Sequence, residues 1–500
     1  MHLSSRLSNI DWRWLLPALA GAIVPLSLAP FDFWPLAFIS LGTFSLVLFQ
    51  ADAKQAFWRS WVFGLGMYGV GASWVFVSIY QFGNVAPAFA LLLTVLFVVV
   101  LSTVFALPFI VLGRWLSRSP LGMLVALPAL WVIGEWIRTW LFTGFPWLYL
   151  GYGHLQSWLA GWAPVVGVMG VSFIVAVTGG ALAFLWLGRE HKTWAVVPLV
   201  VCALLWGTGA GLQSVQWTQT YRQPVDVGIA QGNIPQDKKW DPAFLQPTLE
   251  RYFSMTDQLW DNDWVIWPEA AMPLVYHQAL PIIDELKRQA LRNDAALITG
   301  VLYDSRNDSN TYYNSIVGIG LGAGIYHKQR LVPFGDYVPL RDWFGPVLSI
   351  FNLPMSVLKP GPSNQQGLQV GEALIAPSIC YEIAYPDVVA AGAADAHILI
   401  TISNDAWFGA SIGPLQHMQI AQMRALETGR YLIRATNNGV SALVNDKGEI
   451  TGRTDRFVQQ TLKGTVELRS GMTPFMRWGS EPIVFLCMLL VGAAFFVVRE

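Results

Sequence analysis

Apolar and polar positions divide the chain into two textures. Seven apolar stretches, at about 12–29, 34–50, 57–80, 87–113, 120–140, 163–188 and 194–212, fill the N-terminal half, and an eighth closes the chain at about 481–498. Residues 60–113, 139–188 and 193–221 contain no Asp, Glu, Lys or Arg. A helix crosses a bilayer core with about 20 apolar residues, so each stretch predicts a spanning helix. The first is interrupted by Pro17 and Pro25 and is followed at once by another apolar stretch, which marks a retained helix rather than a cleaved leader. Between 222 and 480 charged segments alternate with short β-type runs at 225–229, 264–267, 296–301, 315–319, 373–379, 398–402 and 441–444. Helical spacing of apolar residues falls between them at 245–260, 282–292 and 416–430. That alternation predicts an α/β layered domain. The hairpin-like pair 315–319 and 324–327 makes its sheet mixed. The expected organisation is a polytopic α-helical membrane bundle of eight spans plus one α/β domain: a bundle at 1–221, the aqueous domain at 222–475 and a last spanning helix at 476–500.

Composition strengthens the membrane reading. Hydrophobic residues make up 54% of the 500 positions and charged residues 13%, where soluble domains carry about a quarter. Disorder, a collagen-like fibre and a nucleic-acid binder are excluded; 31 Lys and Arg against 32 Asp and Glu leave no field to draw DNA or RNA. Connections on one side of the bundle hold Arg6, Arg13, Lys54, Arg59, Arg114, Arg118, Arg189, Lys192 and Arg499, whereas those around 31–33 and 81–86 hold no Lys or Arg. Positive charge is retained in the cytoplasm. Both termini are therefore expected there, and the aqueous domain on the periplasmic face of a bacterial inner membrane. Cys202, Cys380 and Cys487 show no paired spacing, so a disulfide framework or zinc ribbon is not expected. Glu135 and Arg138 would share a helix face; a functional pair and snorkelling from a span's end both account for them. The segment GFPWLYLGYG at 144–153 suits an interfacial loop with its rings at headgroup depth.

Chemistry is expected where strands end. Glu269 follows WVIWP, Lys328 follows GIYH and Cys380 follows ALIAPSI. Taken singly they read as a solvated carboxylate, a surface lysine and a buried small hydrophobe. Together they supply a base, a cation and a nucleophile. Glu269 would take the thiol proton of Cys380, and Lys328 with backbone N–H groups would face the oxyanion of an acyl intermediate. Acyl transfer is the natural reaction class. His277, His327, His397 and His417 sit in no serine-nucleophile elbow, and there is no HExxH helix, Gly-rich phosphate loop or cysteine cluster.

At these residues the sequence resembles the apolipoprotein N-acyltransferases, a membrane-embedded branch of the nitrilase superfamily. The motifs are WPEAAMP at 267–273, YHKQRLVPFGDYVP at 326–339, ICYEIAYP at 379–386 and TISNDAWFG at 401–409. The resemblance implies a nitrilase-like αββα sandwich and a Glu269, Lys328, Cys380 triad. It implies a ping-pong transfer without cofactor or metal, in which a phospholipid, phosphatidylethanolamine being expected, acylates Cys380. The α-amine of a diacylglyceryl-cysteine at the start of an apolipoprotein then takes the chain. Trp240, Tyr381, Glu382 and Trp407 match family positions tied to activity or substrate handling; core aromatics and a structural ion pair are their plainer readings. Glu382 could orient the Lys328 ammonium or bond structurally. Asp336 stands where the family commonly has Glu, which shortens its reach to the active site by one methylene. The expected partners are the bilayer, the donor lipid and the acceptor lipoprotein, with the chain a monomer. A membrane-tethered amidase hydrolysing a small amide and a transporter with a sensor domain are the rival readings. Phe334, Trp343, Phe344, Phe351 and Leu353, within the Pro-containing stretch 333–362, suggest a hydrophobic lid.

Overall fold

The computed structural model describes residues 12–83, 85–187, 196–304, 311–333, 335–337 and 358–499. The predicted lid residues Phe334, Trp343, Phe344, Phe351 and Leu353 lie outside them, as do Arg6, Arg189 and Lys192. The chain forms two compact units. One takes in the chain up to Phe76, Ala86–Val215 and the residues from Ser480 on; the other takes in Val77–Val85 and Gln216–Gly479.

In the first unit a helix stands at every predicted apolar stretch: Trp12–Ile23, Pro35–Leu48, Ala53–Gly71 with Trp74–Phe82, Pro87–Val111, Pro120–Trp140, Ala163–Leu187, Val196–Leu212 and Glu481–Arg499. Three of the helical segments, Pro87–Leu116, Pro120–Thr143 and Trp158–Trp186, are long and apolar enough to cross a membrane. The pair Ala53–Gly71 and Trp74–Phe82, bent by 56°, makes a fourth if it is one span. Trp14–Ser27, Pro35–Leu48, Val196–Leu212 and Glu481–Phe496 are shorter apolar helices, so eight full spans are not established by length. The third stretch differs from its prediction: it breaks after Gly71, and Val77–Val85 belongs to the other unit. Small residues let the helices approach; a Cβ on Gly21 would strike the carbonyl of Phe63, and one on Gly66 that of Ala18.

Glu135 and Arg138 are both buried, which removes the snorkelling reading. Separate partners hold them: Glu135 accepts from Trp131 Nε1 at 2.9 Å and Leu150 N at 3.1 Å, and Arg138 donates to the Trp147 carbonyl at 3.0 Å. The 144–153 segment is not splayed at an interface. Trp147, Tyr149 and Tyr152 are buried, and the Arg138 guanidinium lies 5.2 Å from the Tyr149 ring centroid. A buried cation needs nearby acceptors and ring faces, and this segment supplies them. The three cysteines are free thiols, with Cys487 buried and Cys202 half-buried.

The second unit holds two mixed sheets packed face to face. One runs in the order Gln460–Val466, Val225–Gln231, Trp264–Ile266, Ala296–Asp304, Tyr312–Gly320, Ile325–His327. The other runs Ile450–Arg453, Ala442–Val444, Leu432–Thr436, Ile398–Ser403, Ala373–Ile379, Leu368–Val370, Gly322–Ala323. Each has three parallel strands at its heart and antiparallel strands outside them. Parallel strands covered on both faces read as unbroken apolar runs, and Trp264–Ile266 is buried throughout. Val227, Ile229 and Ile266 of one sheet share a core with Ile375, Ile400 and Ile433 of the other. The opposite face of the first sheet packs on Leu249 and Tyr252 of the helix Leu245–Thr256 and on Ile283 and Leu286 of Tyr276–Arg292. Pro386–Ala393 and Gly413–Thr428 contact the second sheet, giving the αββα layering.

Candidate active site

Parallel strands in such sheets release polar residues at their carboxyl ends, where side chains leave the sandwiched core. Cys380 follows Ala373–Ile379 directly, Asn404 and Asp405 follow Ile398–Ser403, and Glu269 follows Trp264–Ile266 three residues on. Lys328 comes from the antiparallel edge, directly after Ile325–His327. The fold brings Glu269, Lys328 and Cys380 into one site. Lys328 Nζ lies 3.9 Å from Glu269 Oε1 and 2.7 Å from Asp336 Oδ2, with its side chain 1% exposed. The shorter Asp336 side chain therefore reaches the ammonium, and Val332 N donates to the same oxygen at 2.8 Å. Burial disfavours the Lys328 charge, but the carboxylates of Asp336 and Glu269 outweigh it and hold the ammonium well above the usual lysine range.

Both oxygens of Glu269 are held by residues that sequence reading did not single out. Asn314 Nδ2 donates to Oε1 at 2.6 Å and Asn404 N to Oε2 at 2.7 Å, while Lys239 Nζ donates to the Glu269 main-chain carbonyl at 2.9 Å. Asn314 lies inside the strand Tyr312–Gly320. A buried Asn in such a run is out of place by β propensity, and that was the available signal.

Cys380 is partly exposed and sits at φ 55°. A non-glycine residue in this left-handed region persists only where its surroundings hold it, at a cost of about 1–3 kcal/mol. His417 Nε2 lies 3.1 Å from the Cys380 carbonyl; the carbonyl only accepts, so that nitrogen carries the proton. Behind it, Asp405 Oδ2 accepts from Arg434 Nη2 at 2.8 Å and Oδ1 from Ser403 Oγ at 2.8 Å. Arg434 Nη2 also lies 3.0 Å from His417 Nδ1, so this chain braces the nucleophile's backbone. The thiol is pushed up to about 12, by burial first and then by the Glu269 carboxylate; Lys328 and a bond with Ser403 oppose the rise without cancelling it. The resting group is the thiol, and its proton must be removed during attack.

The hydrogen bonds of Glu382 run to backbone N–H groups and one tyrosine hydroxyl. Its Oε1 accepts from Gln329 N at 2.6 Å, Arg330 N at 3.1 Å and Tyr326 Oη at 3.1 Å, and its Oε2 from Ile379 N at 2.7 Å. It ties the chain just after Lys328 to the residue just before Cys380. Replacement by Gln turns an NH₂ toward backbone donors and leaves at least one unsatisfied. Glu382→Gln is expected to lose on the order of 2–3 kcal/mol, read as a lower thermal midpoint of the detergent-solubilised protein, whereas an unchanged midpoint removes this role.

Tyr381 is buried and meets Tyr385 edge-on at 5.4 Å. Trp240 is 48% exposed. Trp407, 37% exposed, meets Phe82 edge-on at 5.3 Å, and its carbonyl accepts from Ser78 Oγ at 2.7 Å. Among the described residues, the network joining Glu269 and Lys328 runs through neither tryptophan. Among them, too, no group of three or more His, Cys, Asp and Glu side chains is arranged to hold a metal ion.

Comparison with known proteins gives two family matches: residues 20–181 match the apolipoprotein N-acyltransferase N-terminal domain, and 226–471 the carbon-nitrogen hydrolase domain. The chain is 44% identical over 483 residues to the apolipoprotein N-acyltransferase of Pseudomonas putida, covering 96% of each chain. It is 43% identical over 489 residues to that of Pseudomonas syringae pv. tomato, covering 97% of each. Among solved structures, Saccharomyces cerevisiae Nit3, a member of branch 10 of the nitrilase superfamily, matches with a TM-score of 0.38 and 15% identity over 50% of this chain and 93% of that one.

Proposed function

Because the chain belongs to the apolipoprotein N-acyltransferase family, we propose that it moves an acyl chain from a phospholipid to the α-amine of an apolipoprotein's N-terminal diacylglyceryl-cysteine. The observation that carries the reading is the partly exposed thiol at a strand end, beside a buried Lys328 held between Asp336 and Glu269. Sγ attacks the ester carbonyl of the donor, taken as phosphatidylethanolamine, while Glu269 accepts the thiol proton. Lys328 stabilises the oxyanion. The C–O bond breaks, Glu269 returns the proton to the leaving alkoxide, and lysophospholipid departs. The lipoprotein amine then attacks the thioester, Glu269 takes a proton from nitrogen, and the thiol is restored as the amide forms. Glu269, Lys328 and Cys380 are catalytic in this scheme, Asp336 and Glu382 position them, and Trp240, Tyr381 and Trp407 contact substrates. No cofactor or metal enters the scheme.

Both substrates are anchored by acyl chains, and exposing those chains to water costs about 0.8 kcal/mol per methylene. The chemistry therefore belongs at a bilayer surface. The eight apolar helices are read as spans of a bacterial inner membrane, with both termini cytoplasmic, the second unit periplasmic and the chain a monomer. The test supplies labelled phosphatidylethanolamine to the purified protein in two arms, with and without a diacylglyceryl lipopeptide bearing a free α-amine. An acyl-protein that persists without the peptide and is discharged onto its amine supports the proposal. Rapid fatty-acid release without the peptide favours the amidase-like reading and overturns it.

A further inference from the structure

A second lysine stands in the site with no part in the scheme above. Lys239 is 4% exposed, and its ammonium donates to the Glu269 carbonyl at 2.9 Å. The residue after Glu269, Ala270, lies at φ 46°, in the left-handed region that a side chain avoids unless it is held there. The peptide linking the two therefore needs a fixed partner, and Lys239 is that partner. The turn bearing Lys239 is itself pinned to the ends of other strands. Ile234 N donates to Asn437 Oδ1 at 2.9 Å, Asn437 Nδ2 to the Ile234 carbonyl at 2.8 Å and Asn404 Nδ2 to Gln236 Oε1 at 2.6 Å. Asn404 is also the residue whose N–H holds Glu269 Oε2. Carboxylate and carbonyl of the same glutamate are thus tied to one framework.

A buried ammonium is expensive, and a loop that needed only a carbonyl partner could use a neutral donor. Burial pulls Lys239 down to about 8, against the opposing charge of the Glu269 carboxylate. Its neighbour Trp240 is exposed, so one short turn sends a cation inward and a large ring outward.

We infer that Lys239 is a positioning residue of the acyl-transfer site: by anchoring the main-chain carbonyl of Glu269 it fixes where that carboxylate stands relative to Cys380. The inference deepens the proposed function and rests on it.

The test measures single-turnover acylation of Cys380 by labelled phosphatidylethanolamine in the full-length protein, together with the thermal midpoint. Lys239→Met keeps the stem and removes donor and charge; Lys239→Arg keeps both. A misplacement of about 1 Å costs on the order of 10²-fold in rate. Lys239→Met is therefore expected to lose about that factor in the limiting rate, with the donor concentration for half-maximal rate little changed, and Lys239→Arg to recover most of it. Equal limiting rates in Lys239→Met and the parent overturn the inference, as does a loss confined to the half-maximal concentration. If Lys239→Met does not fold, Lys239→Leu, which also lacks a donor, takes its place: a rate below the arginine variant supports the inference and a rate equal to the parent overturns it. A parent protein that never acquires an acyl chain on Cys380 sinks the proposed function itself, an outcome separate from these.

Discussion

A Cys380→Ala protein exposed to diacyl phospholipid is expected to gain no acyl mass and to lose N-acylation by on the order of 10³-fold or more. Cysteine and alanine carry the same Cβ, so the left-handed backbone at 380 is no worse strained, and the His417 bond to the residue's carbonyl survives. The thermal midpoint should therefore hold while activity vanishes. Cys380→Ser is expected to be nearly as inert. The thiol is already pushed up to about 12, so the parent depends on Glu269 to remove its proton. A hydroxyl in the same position is a far weaker acid, and the same carboxylate has correspondingly less leverage on it. Intact-protein mass spectrometry, with the adduct mapped by peptide, reads both variants. An acyl chain found on another residue, or full activity in either variant, removes Cys380 as nucleophile.

The sequence exposed what periodicity and strand ends can expose. Ile379-Cys380 marks a strand meeting a polar residue, and the strand was read to its true bounds because ALIAPSI is an apolar run ending at a reactive side chain. The central strand Leu432–Thr436 was missed, since buried Arg434 interrupts its apolar pattern. That arginine is compensated by Asp405, 29 positions away, a pairing no local window contains. Asn314, Asn404, Lys239 and His417 escaped for the same reason: each earns its place through one bond to Glu269 or Cys380 made across the fold. The interfacial reading of 144–153 failed for another reason. Aromatic, Gly and Pro content is the same for a headgroup loop and for a loop packed around a buried arginine, and only the partner Arg138 tells them apart. Asp336 shows the converse. Side-chain length suggested a shortened reach, but the Asp336 carboxylate stands 2.7 Å from Lys328 Nζ.

Glu269→Gln is expected to slow Cys380 acylation by about 10²–10⁴-fold while making the free thiol more reactive toward a small alkylating reagent. The two effects have opposite signs because Glu269 acts in two ways. As a base it accepts the thiol proton during attack, and the amide cannot. As a standing negative charge it raises the thiol's pKa, so its removal lowers that value and leaves more thiolate at a given pH, with the Lys328 contribution now less opposed. The substitution is not silent structurally. Oε1 accepts from Asn314 Nδ2 and Oε2 from Asn404 N, so an amide keeps both bonds only if its oxygen faces Asn404 N and the Asn314 amide turns over; otherwise a donor is left unmet at a cost of about 1–3 kcal/mol. A collapsed site would change both rates in the same direction. Glu269→Asp keeps the charge with a shorter stem, and is expected to leave alkylation near the parent value while still slowing acylation, which separates reach from charge. Iodoacetamide labelling across pH, run beside single-turnover acylation on the same preparations, makes the comparison. Alkylation and acylation falling together in Glu269→Gln would mean that the carboxylate holds the site in shape and is not the proton acceptor.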